Sequence, residues 1–430
     1  MTSEVALMNR SGVALAADSA TTVSYWDPDS GERRVRFFKG ANKIFNLSVA
    51  HPVGLMTYNS ANLQGIPWEV LVKAYRDDRG VASQDTLAEY PPDFFSYLLE
   101  NTDLYPAAFQ KERLQLGIIE TATQAAVAIL SRAQKNKIEK DNLQAYVDEQ
   151  FNRINSEVDT LKLLSDNSSD LIEKVKENDI EEIKNKFKDV KAYNLVNSHF
   201  DLEAIIKFGI RGFFSEGLSP LQHSGLVFSG YGHQEYFPKL EMFECFGVVE
   251  DTVICRRSDG DCYRVSHDSV SEIVPIAQSE MVNTFMFGAS MDVLMQMDQS
   301  YEQAVDELLG ALASDGRLDL SMVTVEEKLQ SLDSFKQALR DYIWKEHYDP
   351  LRRVIGMMPM DELADLAETF VSIESLKERV TKPSESVSGP VDVAVITKGD
   401  GFIWIKRKHY FDPNLNLRFV AQKNKQIGEG

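Results

Sequence analysis

The second residue of the chain is a threonine, and a threonine at a free N-terminus carries the two groups that cleavage of an amide bond needs. A threonine hydroxyl is a weak nucleophile until a base removes its proton. A free α-amino group has an ordinary pKa of about 8, which is close to working pH. Removal of Met1 is expected because the following side chain is small, and it would leave Thr2 as both nucleophile and general base.

Two short apolar runs follow Thr2 and predict a β-hairpin, because the polar turn sequence NRSG at 9–12 separates residues 4–8 from residues 13–17. Asp18 comes directly after the second run. A charged loop is predicted over 26–39, and Lys43 then opens a third run that continues to residue 47. A fourth run at 53–56 predicts a second hairpin. Along the chain, Asp18 thus follows the second predicted strand, and Lys43 opens the third after the charged loop.

The remaining elements alternate in blocks. Apolar residues at helical spacing near 68–75 predict a helix that packs on the sheet. Residues 80–200 are rich in interspersed Lys, Glu and Asp, which predicts a solvated helical insertion. Further strands are predicted at 225–231, 240–249, 252–255, 263–265, 391–398 and 402–408, a short apolar run at 285–290, and helices after 290 and at 334–347 and 360–377. This order predicts an α+β fold with two antiparallel sheets and helices on their outer faces.

Composition limits the classes of partner. The net charge of −20 opposes binding to nucleic acid or to anionic membranes, and no uninterrupted apolar stretch of membrane-spanning length is seen. The three cysteines form no CxxC pair, the histidines form no HExxH motif, and no glycine-rich nucleotide-binding loop occurs. We therefore expect a cytoplasmic protein with no cofactor and no metal.

Residues 2–19, the pair at 43–44 and the stretch GPVDVAVITK at 389–398 together resemble the proteasome β-subunit family and its bacterial relatives. The resemblance implies a four-layer αββα sandwich of the N-terminal-nucleophile (Ntn) hydrolase type over residues 2–412, with the helical insertion at 80–200 inside it and a C-terminal tail at 413–430. The implied activity is that of a threonine endopeptidase, which hydrolyses peptide bonds through an acyl-enzyme.

The resemblance also implies roles for individual residues. Lys43 would place its ammonium beside the Thr2 hydroxyl and stabilise the alkoxide. Asp18 would pair with Lys43 and orient it. The α-amine of Thr2 would take the hydroxyl proton and return it to the leaving amine. In the family a glycine supplies the backbone N–H of the oxyanion hole, and Tyr58 stands at that position here.

Other family positions are matched more loosely. Ala20 replaces the arginine that usually follows the aspartate, and Ala20 and Thr22 are candidate substrate-binding residues. The sequence GAS at 288–290 approximates the family's glycine-serine-glycine turn, which makes Ser290 a candidate for the shell around the amine. Ser386 and Ser388 are the corresponding candidates before the C-terminal strands.

Two alternatives stay open at this stage. One is a non-catalytic assembly protein of the same fold, which the tyrosine at position 58 favours. The other is an Ntn amidase that acts on a small molecule. For the peptidase, the resemblance implies a peptide or unfolded protein as substrate, homo-oligomerisation, and an ATP-dependent unfoldase as a possible partner.

Overall fold

Strands and helices alternate in blocks along the chain. The computed structural model describes residues 3–27, 32–317, 324–381, 387–412, 415–418 and 421. The first strands are β1 (Ser3–Asn9), β2 (Gly12–Ala17), β3 (Thr21–Asp27), β4 (Glu32–Phe38), β5 (Ile44–Asn46), β6 (Val53–Asn59), β7 (Asn62–Leu63) and β8 (Ile66–Pro67). The helices that follow are α1 (Trp68–Arg79), α2 (Tyr90–Glu100), α3 (Ala107–Lys135), α4 (Lys140–Val158), α5 (Ser168–Asn178), α6 (Ile180–Phe187), α7 (Tyr193–Asn197) and α8 (Leu202–Phe213).

The second half repeats this alternation. Its strands are β9 (Ser224–Gly230), β10 (Lys239–Val249), β11 (Thr252–Arg264) and β12 (Ser271–Ala277). The helices α9 (Glu280–Phe287), α10 (Met291–Ser314), α11 (Val325–Ile343), α12 (Asp349–Ile355) and α13 (Met360–Thr381) come next, before β13 (Asp392–Thr397) and β14 (Gly401–Lys406). With 51% helix and 22% strand, the protein has an α+β fold, as the sequence predicts.

The strands form two larger antiparallel sheets. One sheet has the order β12-β1-β2-β13-β14, and the other has the order β11-β10-β9-β6-β5. In the first sheet β1 is flanked on both sides, so Glu4 pairs with Ala17 on β2 and with Ile276 on β12. Strand β1 is buried along its whole length, which explains why its residues 5–8 are all apolar rather than alternating with polar ones.

The two faces of β1 pack against different layers. Ala6 and Met8 belong to a buried cluster that also contains Met56 and Val227 from the second sheet. Val5 and Leu7 belong to a cluster with residues of α13, α9 and α12. The outer face of the second sheet packs against α1 and α2 through a third cluster. Together these clusters fix the amino-terminal strand between a helical layer and the facing sheet.

The helical region has a substantial core of its own. Ile118 and Ala122 of α3 pack with Ile206 and Ile210 of α8, and the same cluster includes Phe246 from β10. The sequence predicts a solvated insertion that ends at residue 200. In the structure the helical region extends to Phe213, because α8 packs its apolar face into this core. The charged residues on the outer faces of these helices make the apolar residues of the core difficult to recognise in the sequence.

Helix α3 is long and apolar enough to cross a membrane by length and composition alone. Half of its most apolar window is buried inside the protein, and its buried side chains contact α8. Buried core helices of this length pass the same test.

Several predicted elements have different forms in the structure. The charged loop predicted at 26–39 contains part of the β3–β4 hairpin, in which Thr21 pairs with Phe38. The apolar run at 285–290 contains the end of α9 rather than a strand. The two short strands predicted at 252–255 and 263–265 are one long strand, β11, whose pairing with β10 contains register shifts.

Candidate functional site

Asp18 and Lys43 meet between the two sheets. Asp18 follows β2 directly, and Lys43 precedes β5. Nζ of Lys43 lies 2.6 Å from Oδ1 of Asp18, and their side chains are only 7% and 1% exposed, respectively. A buried charge is tolerated only when an opposite charge and further hydrogen bonds compensate its loss of water. Burial of this pair therefore requires further hydrogen bonds from the surrounding groups.

Backbone donors complete the coordination of Asp18. The N–H of Ser3 donates to Oδ1 at 3.1 Å, and the N–H groups of Ala20 and Ser388 each donate to Oδ2 at 3.1 Å. Asp18 in turn donates its own N–H to the carbonyl oxygen of Ser3. One carboxylate thus fixes the start of β1, the end of β2 and the segment before β13. Because Ser3 adjoins Thr2 in the sequence, the pair lies beside the start of the chain.

Helix α13 supports this arrangement from the outer layer. Glu378 is buried and accepts a hydrogen bond from the N–H of Val387 at 2.6 Å, and Ser375 donates its hydroxyl to the carbonyl of Val387 at 3.1 Å. One turn earlier, Glu374 accepts from the N–H of Met281 at 2.8 Å. Burial raises the pKa of Glu374, while the Met281 hydrogen bond and Lys377 oppose that effect. These two carboxyl groups hold the segment after β12 and the segment before β13.

Glu4 is the third ionisable side chain at the site. It is 1% exposed, and neither carboxyl oxygen has a hydrogen-bond partner among the residues that the structure describes. Burial raises the pKa of Glu4 well above 4.5; the charge of Lys43 lowers it and that of Asp18 raises it further. The sequence interpretation missed Glu4, although a glutamate inside the apolar run at 4–8 was a visible anomaly.

The predicted oxyanion role of Tyr58 does not fit the strand geometry. Thr57 donates its N–H to the carbonyl of Lys43 at 2.9 Å, toward β5. Since N–H directions alternate along a strand, the N–H of Tyr58 is directed toward β9, where Tyr58 pairs with Gly225. The next N–H on the Lys43 side is that of Asn59. Asn59 has φ = 69°, an unusual conformation for a residue other than glycine that often occurs at functional sites.

The Tyr58 side chain lies between the two sheets. Tyr58 is half-buried and packs against the cluster between the sheets. Its ring covers the opposite residue, Gly225, so closely that a Cβ added there would overlap the ring. Glycine is therefore required on β9 at this point.

The structure places Ser290 at the start of a helix. It is the N-cap residue of α10, and its hydroxyl lowers the pKa of Asp292 through a hydrogen bond. The end of β12 is the segment that approaches the amino terminus, because Ala277 pairs with Ser3. Ser279 follows two residues later, before α9. A strand followed by a serine and a helix, at 271–287, was the signal that could have found it.

The other predicted site residues have mixed outcomes. Thr2 and Ser386 lie outside the described residues. The side chain of Ala20 is fully buried, so its contribution is the N–H that it donates to Asp18 rather than a substrate contact. Thr22 is exposed on β3. Ser388 is buried, and its backbone is joined to Asp18.

In the described parts of the chain, no group of three or more His, Cys, Asp or Glu side chains is placed to hold a metal ion. The site is thus defined by an ammonium, a carboxylate and a second, unpartnered carboxyl group beside the first strand of an α+β protein. Such a set can stabilise an anion that develops on a nearby oxygen.

Comparison of the sequence with models of protein families finds no match, and comparison with curated proteins finds none. Among solved structures, Anbu (ancestral beta-subunit) from Yersinia bercovieri is 11% identical, with 100% of this chain and 97% of that chain covered and a TM-score of 0.28. Anbu from Hyphomicrobium sp. strain MC1 is 9% identical, with coverages of 100% and 97% and a TM-score of 0.28. Its Gly-1 mutant is 9% identical, with coverages of 100% and 98% and a TM-score of 0.29.

The predicted membership of the proteasome β-subunit-like Ntn hydrolase family is wrong. The solved structures that match are Anbu proteins, which are distinct from that family, and no family model matches the chain. Short apolar strands that end in a charged residue do not determine the arrangement of a whole chain. The chemistry of the site must therefore be argued from its own geometry.

Proposed function

We propose that this protein is a threonine peptidase in which Thr2, freed of Met1, attacks a peptide carbonyl and forms an acyl-enzyme. The observation that carries the proposal is the buried pair of Lys43 and Asp18, held at 2.6 Å, with Ser3 hydrogen-bonded to the same carboxylate. Consecutive Cα atoms are about 3.8 Å apart, so chain connectivity keeps Thr2 near this pair.

The chemistry follows from the charges. In the first step the α-amine of Thr2 accepts the hydroxyl proton, and the resulting oxygen nucleophile bonds to the substrate carbonyl carbon. Lys43 supplies positive charge in a water-poor setting, where it lowers the free energy of the developing alkoxide more than it could in water. Asp18 prevents the ammonium from turning away. The amine then returns the proton to the leaving nitrogen, and water hydrolyses the ester.

The oxyanion that forms on the substrate needs a donor of its own. The N–H of Asn59 is the proposed donor, because it follows that of Thr57 on the Lys43 side of β6. A donor of this kind is typically worth about 3 kcal/mol of transition-state stabilisation. We also propose that the layers form a four-layer αββα sandwich, with α13 outside one sheet and α1 outside the other.

The proposal is tested by mass spectrometry of the purified protein after reaction with a peptide electrophile that combines with a hydroxyl and a neighbouring amine. We expect the protein to lack Met1 and the adduct to map to Thr2. Thr2→Ala should abolish the adduct, and Lys43→Met should slow its formation by about 10²–10³-fold. Lys73→Met is the matched control, because Lys73 forms an exposed ion pair with Glu69 on α1.

Folding of each variant is checked by circular dichroism and chemical denaturation. Retention of Met1, an adduct on another residue, or normal labelling of a folded Lys43→Met variant would each exclude this mechanism. A folded protein with no labelling would favour the non-catalytic alternative. Labelling by small amides but not by peptides would favour the small-molecule amidase.

A further inference from the structure

Glu4 projects from β1 into the space between the two sheets. Side chains alternate along a strand, and Ala6 and Met8 on the same face belong to the cluster between the sheets. The partner of Glu4 on β2 is Ala17, whose small side chain leaves room for the longer side chain of Glu4. Asp18 is the next residue after Ala17, which places the two acids at the same end of the sheet.

The surroundings of Glu4 contain two charged groups. Lys43, before β5, and Asp18, after β2, both act electrostatically on its carboxyl group. The other neighbour in register is Ile276 on β12, and Met56 faces the same cluster from β6. Three tyrosines are titratable members or neighbours of this cluster, namely Tyr58, Tyr231 and Tyr263, and the ring of Tyr58 lies over Gly225. After loss of Met1, the α-amine of Thr2 would be a further titratable group, two residues before Glu4 in the sequence.

Neither oxygen of Glu4 accepts a hydrogen bond from a described residue, and the side chain is almost fully removed from solvent. An ionised carboxylate in that position would lose its hydration without compensation, at a cost of several kcal/mol. The ammonium of Lys43 lies 2.6 Å from Asp18 and forms no hydrogen bond with Glu4. The geometry therefore favours the protonated form of Glu4, because burial of a neutral carboxyl group costs less free energy than burial of a carboxylate.

We propose that Glu4 is a positioning residue that keeps the net charge of the Lys43–Asp18 site at zero by remaining a neutral acid, and that its ionisation switches the site off at alkaline pH. The switching part of this inference rests on the proposed threonine chemistry. When Glu4 releases its proton to solvent, the site gains one uncompensated negative charge. The positive potential at the nucleophilic oxygen then falls, and the alkoxide becomes more costly to form.

The first experiment measures the protonation state directly. Infrared difference spectra of the whole protein, with and without ¹³C-labelled glutamate, are recorded from neutral to alkaline pH for the wild type and Glu4→Gln. We expect a protonated-carboxyl C=O band at neutral pH that is missing in Glu4→Gln and disappears in the wild type as pH rises. Absence of that band from the wild type at neutral pH would overturn the proposal.

The second experiment measures the pH profile of labelling by the peptide electrophile. The wild-type rate should fall at alkaline pH with the same midpoint as the infrared band. In Glu4→Gln the descending limb should move upward by at least about one pH unit, so that one unit above the wild-type midpoint it labels roughly fivefold faster than the wild type or more. Identical descending limbs would overturn the switching role.

A third readout separates this proposal from the proposed function. The ¹³Cε shift of Lys43 should respond to the ionisation of Glu4 in the wild type and lose that response in Glu4→Gln. If no variant is ever labelled but this coupled titration is observed, the peptidase proposal fails while the charge control by Glu4 stands. If labelling occurs and Lys43 shows no coupled step, the control by Glu4 fails and the peptidase proposal stands.

Discussion

Nζ of Lys43 lies 2.6 Å from Oδ1 of Asp18, although Asp18 follows a strand of one sheet and Lys43 precedes a strand of the other. The buried ion pair thus joins the two sheets at the end where the chain begins. Its backbone partners, Ser3, Ala20 and Ser388, come from three separate segments. The same contact that would activate a nucleophile also holds these segments together.

Asp18→Asn should therefore destabilise the protein strongly. Breaking one side of a buried pair leaves the ammonium of Lys43 without its counter-charge, which typically costs about 3–5 kcal/mol. The measurement is the free energy of unfolding from urea denaturation at neutral pH. Lys73→Gln, at the exposed i,i+4 pair with Glu69, should change it by no more than about 0.5 kcal/mol. Equal losses in the two variants would show that the sheet-to-sheet pair has no special role.

Gly225→Ala should be destabilising because the added Cβ would overlap the ring of Tyr58. Overpacking of this kind costs about 1–3 kcal/mol. Gly310→Ala is the matched control, since Gly310 lies in α10 with no atom near the added Cβ, and this change should stabilise by up to about 1 kcal/mol.

A double-mutant cycle checks the cause of the Gly225→Ala effect. If the ring is the obstacle, the loss from Gly225→Ala should be much smaller in a Tyr58→Ala background, which gives a coupling energy above about 0.5 kcal/mol. Additive effects would mean that the glycine is needed for another reason.

The sequence allowed the hairpin of β1 and β2 to be predicted almost to the residue, because its turn residues and apolar runs are local signals. The meeting of Asp18 and Lys43 was predicted only through a resemblance whose family assignment is wrong. No local pattern specifies that pair, since its partners are brought together by two different sheets. Glu4 was readable as an anomaly, but its isolation from hydrogen-bond donors depends on three-dimensional packing.

Pairings between distant segments were beyond local reasoning. The contact of β1 with β12 joins Ser3 to Ala277, and nothing in either strand identifies the other. Ser290 was chosen because the sequence at 288–290 approximates the family's turn, whereas the strand that pairs with Ser3 ends shortly before Ser279. The helical region was underestimated for a related reason, since its core forms between α3 and α8, which are far apart in the sequence.

Glu378→Ala should loosen the segment before β13. Its carboxyl group accepts from the N–H of Val387, and the next residue, Ser388, donates to Asp18. Leaving a buried donor without its acceptor typically costs about 1–3 kcal/mol, so a loss of that size in unfolding free energy is expected. Hydrogen exchange of the Val387 and Ser388 amides should accelerate.

The matched control for this prediction is Ser372→Ala, at an exposed position on the same helix. It should stay within about 0.5 kcal/mol of the wild type and leave both amides protected. If the hydrogen exchange of these amides is unchanged in Glu378→Ala, Glu378 does not hold the segment before β13.

The stability of Glu4→Gln relative to the wild type should increase with pH. The pKa of Glu4 is raised in the folded state from an ordinary value of 4.5, so above that pH the folded protein binds one proton more than the unfolded chain. Wild-type stability therefore falls as pH rises toward the folded-state pKa. Glutamine does not titrate, so Glu4→Gln lacks this contribution to the pH dependence of stability. The difference should grow by about 1.4 kcal/mol per pH unit within that window and then level off.

The measurement is urea denaturation of both proteins at a series of pH values from about 4 upward. The amide that replaces the acid is itself buried, and its cost appears as an offset that does not depend on pH. Glu112→Gln, at an exposed position on α3, should run parallel to the wild type over the whole range. A Glu4→Gln curve that also stays parallel to the wild type would mean that the folded protein holds Glu4 ionised, against the geometry of its burial.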